Sequence, residues 1–342
     1  MGEITRLLIL TSTSFLAAFF AAPLLTHFLF KYKLGKQIRT EGAPIFAKIH
    51  SVKEGTPTMG GILIWGTVLI LAIGFWLLSL FFDGVFKQFN FLSRAQTFLP
   101  LGILIFSAIL GLIDDLLGIF KIGPKGGGFS MKRKILLYTT VAAIGAYWFY
   151  FKLDWNVFYI PFLGNFIVGL WYIPIFIFII IATAFSTNET DGLDGLAGGV
   201  LLFAFAALGA LAFAQHHYDL VAFTCVIIGS LLAFLWFNIY PARFFMGDTG
   251  AMSLGITLGV MAMLTKAAML LPLIAFILVL ESGSVIVQVL SKKFRKKKIF
   301  QSTPIHHHFE AIGWPETKVT MRFWIISAVT AAAGLIIGLL GK

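Results

Sequence analysis

Charge is what this chain has least of. Only 12% of its 342 residues are Asp, Glu, Lys or Arg, about half the ~25% usual for a soluble protein. Cysteine is nearly absent as well. Cys225 stands alone in an apolar run, which excludes a disulfide framework and leaves this side chain as inert packing. No polar linker, clear repeat or low-complexity stretch interrupts the sequence, so one unit over 1–342 is expected. What is abundant is apolar surface: 59% hydrophobic residues, with 37 Phe and 8 Trp, and a mean hydropathy of +0.93. A soluble fold of this length has no interior able to hide so much, and disorder is excluded for the same reason. Lipid must be the solvent for most of the chain.

A membrane span needs about 20 mostly apolar residues. Ten runs qualify: 8–30, 60–82, 97–113, 135–151, 168–187, 196–214, 220–237, 251–265, 267–290 and 323–340. The expected fold class is therefore an all-α, polytopic, multi-pass integral membrane protein with about ten helices. Charge placement orients it. Loops 31–58, 114–134, 188–195, 238–250 and 291–322 hold 20 of the 26 Lys and Arg, against 6 on the other side (Arg6, Lys87, Arg94, Lys152, Lys266 and Lys342). The positive-inside rule places the five richer loops in the cytoplasm and both termini outside. That placement accounts for the net charge of +11 without nucleic acid as a partner. The basic run Lys292, Lys293, Arg295, Lys296, Lys297 and Lys298 reads first as an anchor to anionic headgroups of the membrane lipid. The first segment lacks a small-residue cleavage site and is read as a retained span.

The acidic residues say more about chemistry. Ten of the fifteen fall in or beside those five loops: Glu41, Glu54, Asp114, Asp115, Glu189, Asp191, Asp194, Asp248, Glu310 and Glu316. Acidic residues have little influence on insertion, so topology does not explain that bias. Asp114 and Asp115 end the third span, where carboxylates oppose the helix dipole. Asn188-Glu189-Thr190-Asp191-Gly192-Leu193-Asp194-Gly195 suggests a turn that brings backbone close to a ligand. The stretch from Asn238 to Gly250 includes Phe245, Gly247 and Asp248, the last well placed as a ligand for a hard cation. Pro304-Ile305-His306-His307-His308 lacks the spacing of a zinc site; histidines near phosphate act as donors and charge stabilisers. Lys53 to Gly61 offers a lysine, exposed amides and the hydroxyl of Thr58, without the spacing of a P-loop; Thr58 could equally serve as an N-cap. Turns and solvated helix ends explain each cluster singly. Their agreement on one face favours a Mg²⁺-assisted site for a phosphate-bearing substrate at headgroup depth, with a lipid-borne attacker.

With these residues assembled, the chain resembles the phospho-N-acetylmuramoyl-pentapeptide transferases, within the polyprenyl-phosphate N-acetylhexosamine-1-phosphate transferases. The likeness covers nearly the whole chain: TPTMGG at 56–61, Asp114-Asp115, TDGLDGLA at 190–197, FLWFN at 234–238, FMGD at 245–248, and PIHHHFE at 304–310, followed by GWPE and RFW. PIHHHFE discriminates best, because relatives that use N-acetylglucosamine donors differ there. The resemblance implies a bacterial inner-membrane enzyme of peptidoglycan synthesis. It would transfer phospho-MurNAc-pentapeptide from UDP-MurNAc-pentapeptide to undecaprenyl phosphate, giving lipid I and UMP with Mg²⁺ as cofactor. It further implies Asp248 as metal ligand, Asp114 as candidate base with Asp115 beside it, and Lys53, Gly192, Leu193 and Asp194 around the uridine, with Phe245 against the uracil. Thr58, Lys134, Asn188, Asp191, Asn238, Gly247 and His306 to His308 would complete the site. A homodimer is compatible with the resemblance.

Departures from the family pattern are Glu189 in place of a leucine, Gly118 in place of a lysine and Tyr138 in place of a glutamine. Lys121 or Lys125 could substitute for the missing lysine. Two other readings compete: the same chemistry on another UDP-sugar, which PIHHHFE argues against, and a transporter without chemistry. Transporters place their ionisable groups near the midplane, where this chain has only Glu281 well inside an apolar run. That residue is functional by default or pairs with backbone at a break in the ninth span.

Overall fold

A computed structural model describes residues 2–35, 53–94, 96–124 and 127–341. Lys36, Arg39, Glu41, Lys48, Lys125 and Lys342, which enter the charge arguments above, lie outside the described residues. Helices occupy the apolar runs, because in hydrocarbon every backbone N–H must find its partner within its own segment. In chain order they are α1 (Glu3–Lys31), α2 (Ile62–Phe81), α3 (Val85–Phe89), α4 (Phe98–Ile119), α5 (Met131–Tyr147), α6 (Tyr172–Thr190), α7 (Leu196–Ala214), α8 (Tyr218–Asn238), α9 (Gly247–Leu264), α10 (Leu271–Ile274), α11 (Phe276–Phe294), α12 (Ile305–Ala311) and α13 (Glu316–Leu340). Among the described residues, eight of these helices are long and apolar enough to cross a membrane.

Two of the ten expected runs depart from a plain span. The run at 135–151 begins behind Lys132, Arg133 and Lys134; its helix α5 has 17 residues and continues through a π turn, Trp148–Lys152. The run at 267–290 is broken: α10 and α11 meet at an angle of 84°, where Ala275 (φ −112°, ψ 40°) leaves the helical region. A short antiparallel hairpin, β1 (Val157–Ile160) and β2 (Gly164–Ile167), joins α5 to α6, with Val157 opposite Ile167 and Ile160 opposite Gly164. The all-helical expectation had treated this stretch as a loop.

At the centre stands α9. Every one of its residues except Asp248 is buried, with α4 and α6 as its main neighbours. Its hydropathy is the lowest of the eight spans, 1.2, because glycine, serine and threonine recur along it. Small residues let neighbouring backbones approach, and the Ser253 and Thr257 hydroxyls donate back to carbonyls one turn earlier. Gly111 of α4 makes one such approach near the site: a Cβ there would stand 2.3 Å from the carbonyl oxygen of Asp248.

The two ends of the bundle differ. At one end, Lys53 reaches Asp194 and Glu316, Lys134 reaches Asp248, and the Gly247 N–H donates to Asp191. The five loops grouped by charge count therefore meet. At the other end, Arg6 near the N-terminus pairs with Asp219, and the carbonyl of Gly341 accepts from the Phe162 N–H and the Tyr159 hydroxyl. Both chain ends lie opposite the carboxylate cluster.

Candidate active site

Two linked clusters of polar side chains form at the loop-rich end. The first gathers Asp114 and Asp115 from α4, which runs on past them to Ile119 rather than ending there, Lys134 from the start of α5, Asn188 from the end of α6 and Asp248 from the start of α9. Lys134 Nζ stands 2.7 Å from Asp114 Oδ2 and 2.9 Å from each Asp248 oxygen, while the Asn188 amide donates to Asp248. Asp114 also accepts from the Phe129 N–H. The side chain of Asp114 is 4% exposed and that of Asp248 24%. Asp248 is thus the carboxylate that opens outward.

Asp115 does something different from its neighbour. Its oxygens accept from the backbone N–H groups of Asp248 (3.1 Å) and Thr249 (3.0 Å), with the Thr58 hydroxyl 3.5 Å away. The first N–H groups of a helix have no partner within it, so this carboxylate from α4 completes the start of α9 and favours its positive end. Thr58 does not cap a helix: α2 begins at Ile62 behind Gly61, and Thr58 reaches Asp115. Around it, the Gly60 and Gly61 N–H groups donate to the carbonyls of Phe245 and Met246, and the Phe245 N–H to that of Pro57, each at 2.8 Å. This short ladder fixes Phe245 and Gly247 against the 57–61 segment.

The second cluster is built on Asp194. One of its oxygens holds Lys53 Nζ at 2.6 Å and the other accepts from the Ala242 N–H at 3.0 Å. Glu316, at the start of α13, holds Lys53 at 2.5 Å and accepts from the Asp194 N–H at 2.6 Å. Asn238 joins the two neighbouring turns, accepting from the Gly195 N–H and donating to the Phe244 carbonyl. Leu193 is buried beneath. Phe245 is half-buried, with Lys53 Nζ 5.9 Å from its ring centre. Lys53 and a flat ring thus share one small space.

The histidines divide. His306 is fully buried, and its Nδ1 lies 2.9 Å from Glu281. Burial alone would lower its pKa, but the carboxylates of Glu281, Glu310 and Glu189 outweigh that and raise it. His307 pairs with Glu310 at 2.7 Å. His308 lies aside, accepting from the Gln301 N–H and turned edge-on to Phe300. Lys121 is exposed beyond the end of α4.

All the expected site residues except His308 thus fall into the two clusters or against them. Glu316 was missed as a site residue, although GWPE follows the histidines; a carboxylate opening a helix was the available signal. Glu281 was noticed but not its partner.

Residues 97–266 match the family model described as Glycosyl transferase family 4, and residues 53–64 match Phospho-N-acetylmuramoyl-pentapeptide-transferase signature 1. A phospho-N-acetylmuramoyl-pentapeptide-transferase of Chloroflexus aggregans is 37% identical over 99% of this chain and 91% of its own length. Proteins of the same name from Anoxybacillus flavithermus and Geobacillus thermodenitrificans are each 36% identical, over 95% and 97% of both chains respectively.

Proposed function

Since the chain belongs to the phospho-N-acetylmuramoyl-pentapeptide transferases, a family of membrane enzymes of peptidoglycan synthesis, we propose that the paired clusters transfer phospho-MurNAc-pentapeptide from UDP-MurNAc-pentapeptide to undecaprenyl phosphate. The observation that carries this reading is the convergence of Asp114, Lys134, Asn188 and Asp248 beside the Lys53–Asp194 pair. It supplies charges for two phosphate-bearing partners next to a place for a flat base. Phe245 is the platform for uracil, while Asp194 and the Gly192–Leu193 backbone address its edge. Lys53 and Lys134 offer positive charge to the pyrophosphate. An oxygen of the lipid phosphate attacks the sugar-side phosphorus, the bond to the UMP oxygen breaks, and lipid I and UMP result. Asp114, more enclosed than Asp248, faces the lipid phosphate.

Mg²⁺ is the proposed cofactor. Such an ion is usually held by one or two carboxylates plus substrate phosphates. Asp248 would hold it, with Asp114 across Lys134. Bound there, the ion would neutralise charge developing on the pyrophosphate. The lysine distribution supports a cytoplasmic site in the bacterial inner membrane.

Purified protein given UDP-MurNAc-pentapeptide, undecaprenyl phosphate and Mg²⁺ should release UMP and form lipid I. No UMP release under these conditions would overturn the reading. Comparable turnover of UDP-N-acetylglucosamine would move the enzyme to the related sugar-phosphate transferases.

A further inference from the structure

Glu281 is a carboxylate in the second turn of α11, directly behind the apolar stretch Phe276–Leu280, and it is 0% exposed. Taking such a group out of water is costly unless it is paired. Its partner is His306: Oε2 accepts from Nδ1 at 2.9 Å and lies 3.5 Å from the His306 backbone nitrogen. The opposite edge of the imidazole lies against the turn that carries Asp191 and Asp194. A Cβ on Gly192 would stand 2.3 Å from His306 Nε2 and 3.3 Å from His307 Nε2. Neither His306 Nε2 nor Glu281 Oε1 has a hydrogen-bond partner. Close by, the hydroxyls of Ser186 on α6 and Ser282 on α11 meet at 2.8 Å, which holds α11 where Glu281 can reach the ring. A core that needed only packing at this point would keep a leucine or methionine; a buried polar pair is retained at a cost.

We propose that Glu281 is a positioning residue whose carboxylate sets the His306 ring as a spacer against Gly192 and thereby holds the Asp191–Asp194 turn. In this arrangement His306 meets backbone rather than substrate. The turn it steadies presents Asp194 to Lys53 and Ala242, and Asp191 to the Gly247 N–H. Loss of the carboxylate frees the ring, and the turn loosens before any reacting group is touched. The consequence for donor binding rests on the proposed function, in which this turn lines the nucleotide pocket; the mechanical claim does not.

The experiment uses the full-length protein in lipid nanodiscs, comparing Glu281→Gln, His306→Gln and the double variant with wild type. Amide hydrogen exchange in the 190–196 segment should speed up about tenfold in each single variant, as for a local opening made easier. The double variant should be no worse than either single one, because the two residues act as one unit. With UDP-MurNAc-pentapeptide, KM should rise roughly tenfold while kcat stays within about twofold, the signature of lost ground-state binding. Should Glu281→Gln fail to fold, Gly192→Ala tests the same contact from the other side, since its methyl would displace the ring, and the same exchange signature is expected. Unchanged exchange at 190–196 with a lowered melting temperature would reduce the pair to packing and overturn the proposal. A fall in kcat at constant KM would also overturn it, by placing His306 on the reacting groups. Faster exchange in the variants of a protein that binds no uridine nucleotide even as wild type would uphold the positioning role and sink the functional reading instead.

Discussion

Phe244 and Phe245 are neighbours in sequence with opposite surroundings. Phe244 is fully buried against Phe234 and Phe237, whereas Phe245 is half-buried beneath Lys53. Phe245→Ala should cost a stacking contact of about 1–3 kcal/mol, or roughly tenfold to over a hundredfold in UMP affinity by calorimetry, with the melting temperature unchanged. Phe244→Ala should do the reverse, losing about 3–5 kcal/mol of stability while the folded fraction binds UMP normally. The adjacent aspartates separate in the same way. Asp114→Asn should depress turnover and leave nucleotide binding intact, because Asp114 contacts Lys134 rather than the Lys53–Asp194 pair where the nucleotide is proposed to sit. Asp115→Ala leaves two backbone donors at the start of α9 without their acceptor, at about 1–3 kcal/mol each. Its melting temperature and turnover should fall together, and Asp115→Asn, which keeps one acceptor oxygen, should recover part of both.

At the scale of elements, the long helices were legible because lipid demands a continuous apolar run for each crossing. The carboxylate groups were legible because they interrupt such runs. The hairpin was not: its strands have four residues each, too short for alternation to separate from a loop. A break in the ninth span was one reading of Glu281, but its place and its 84° angle were not legible, since Ala275 is neither glycine nor proline. Glu316 and Asp194 are 122 positions apart, and no local pattern reports a contact at that range. Gly111 makes the junction of α4 and α9 testable. A valine there would drive its Cβ into the Asp248 carbonyl, so Gly111→Val should lower both melting temperature and UMP release. Gly102→Ala, on the same helix with nothing within 4 Å, should be neutral or stabilise by about 0.5–1 kcal/mol in a thermal melt.

For the molecule as a whole, sidedness is the decisive quantity, because the clusters share one end and the chain ends share the other. Lys298 and His216 are both exposed, and on opposite ends by this reckoning. In intact cells, a cysteine at His216 should react with an impermeant maleimide, while one at Lys298 should react only after the membrane is opened. The opposite pattern would place the donor site outside, where a cytoplasmic nucleotide sugar does not reach it. In either case Cys225 must first be replaced, as it is the one native thiol.

Burial of α9 on every side except at Asp248 has a further consequence, for the host bilayer. Helices on the rim meet acyl chains directly and must tilt or bend when the hydrocarbon thickens or thins. The helix that presents Asp248 meets only protein, so such mismatch reaches it second-hand. Turnover in vesicles should therefore vary little between lipids of short and long acyl chains, even where the rim helices change tilt. A bacterium that remodels its fatty acids with temperature could then do so without retuning this enzyme.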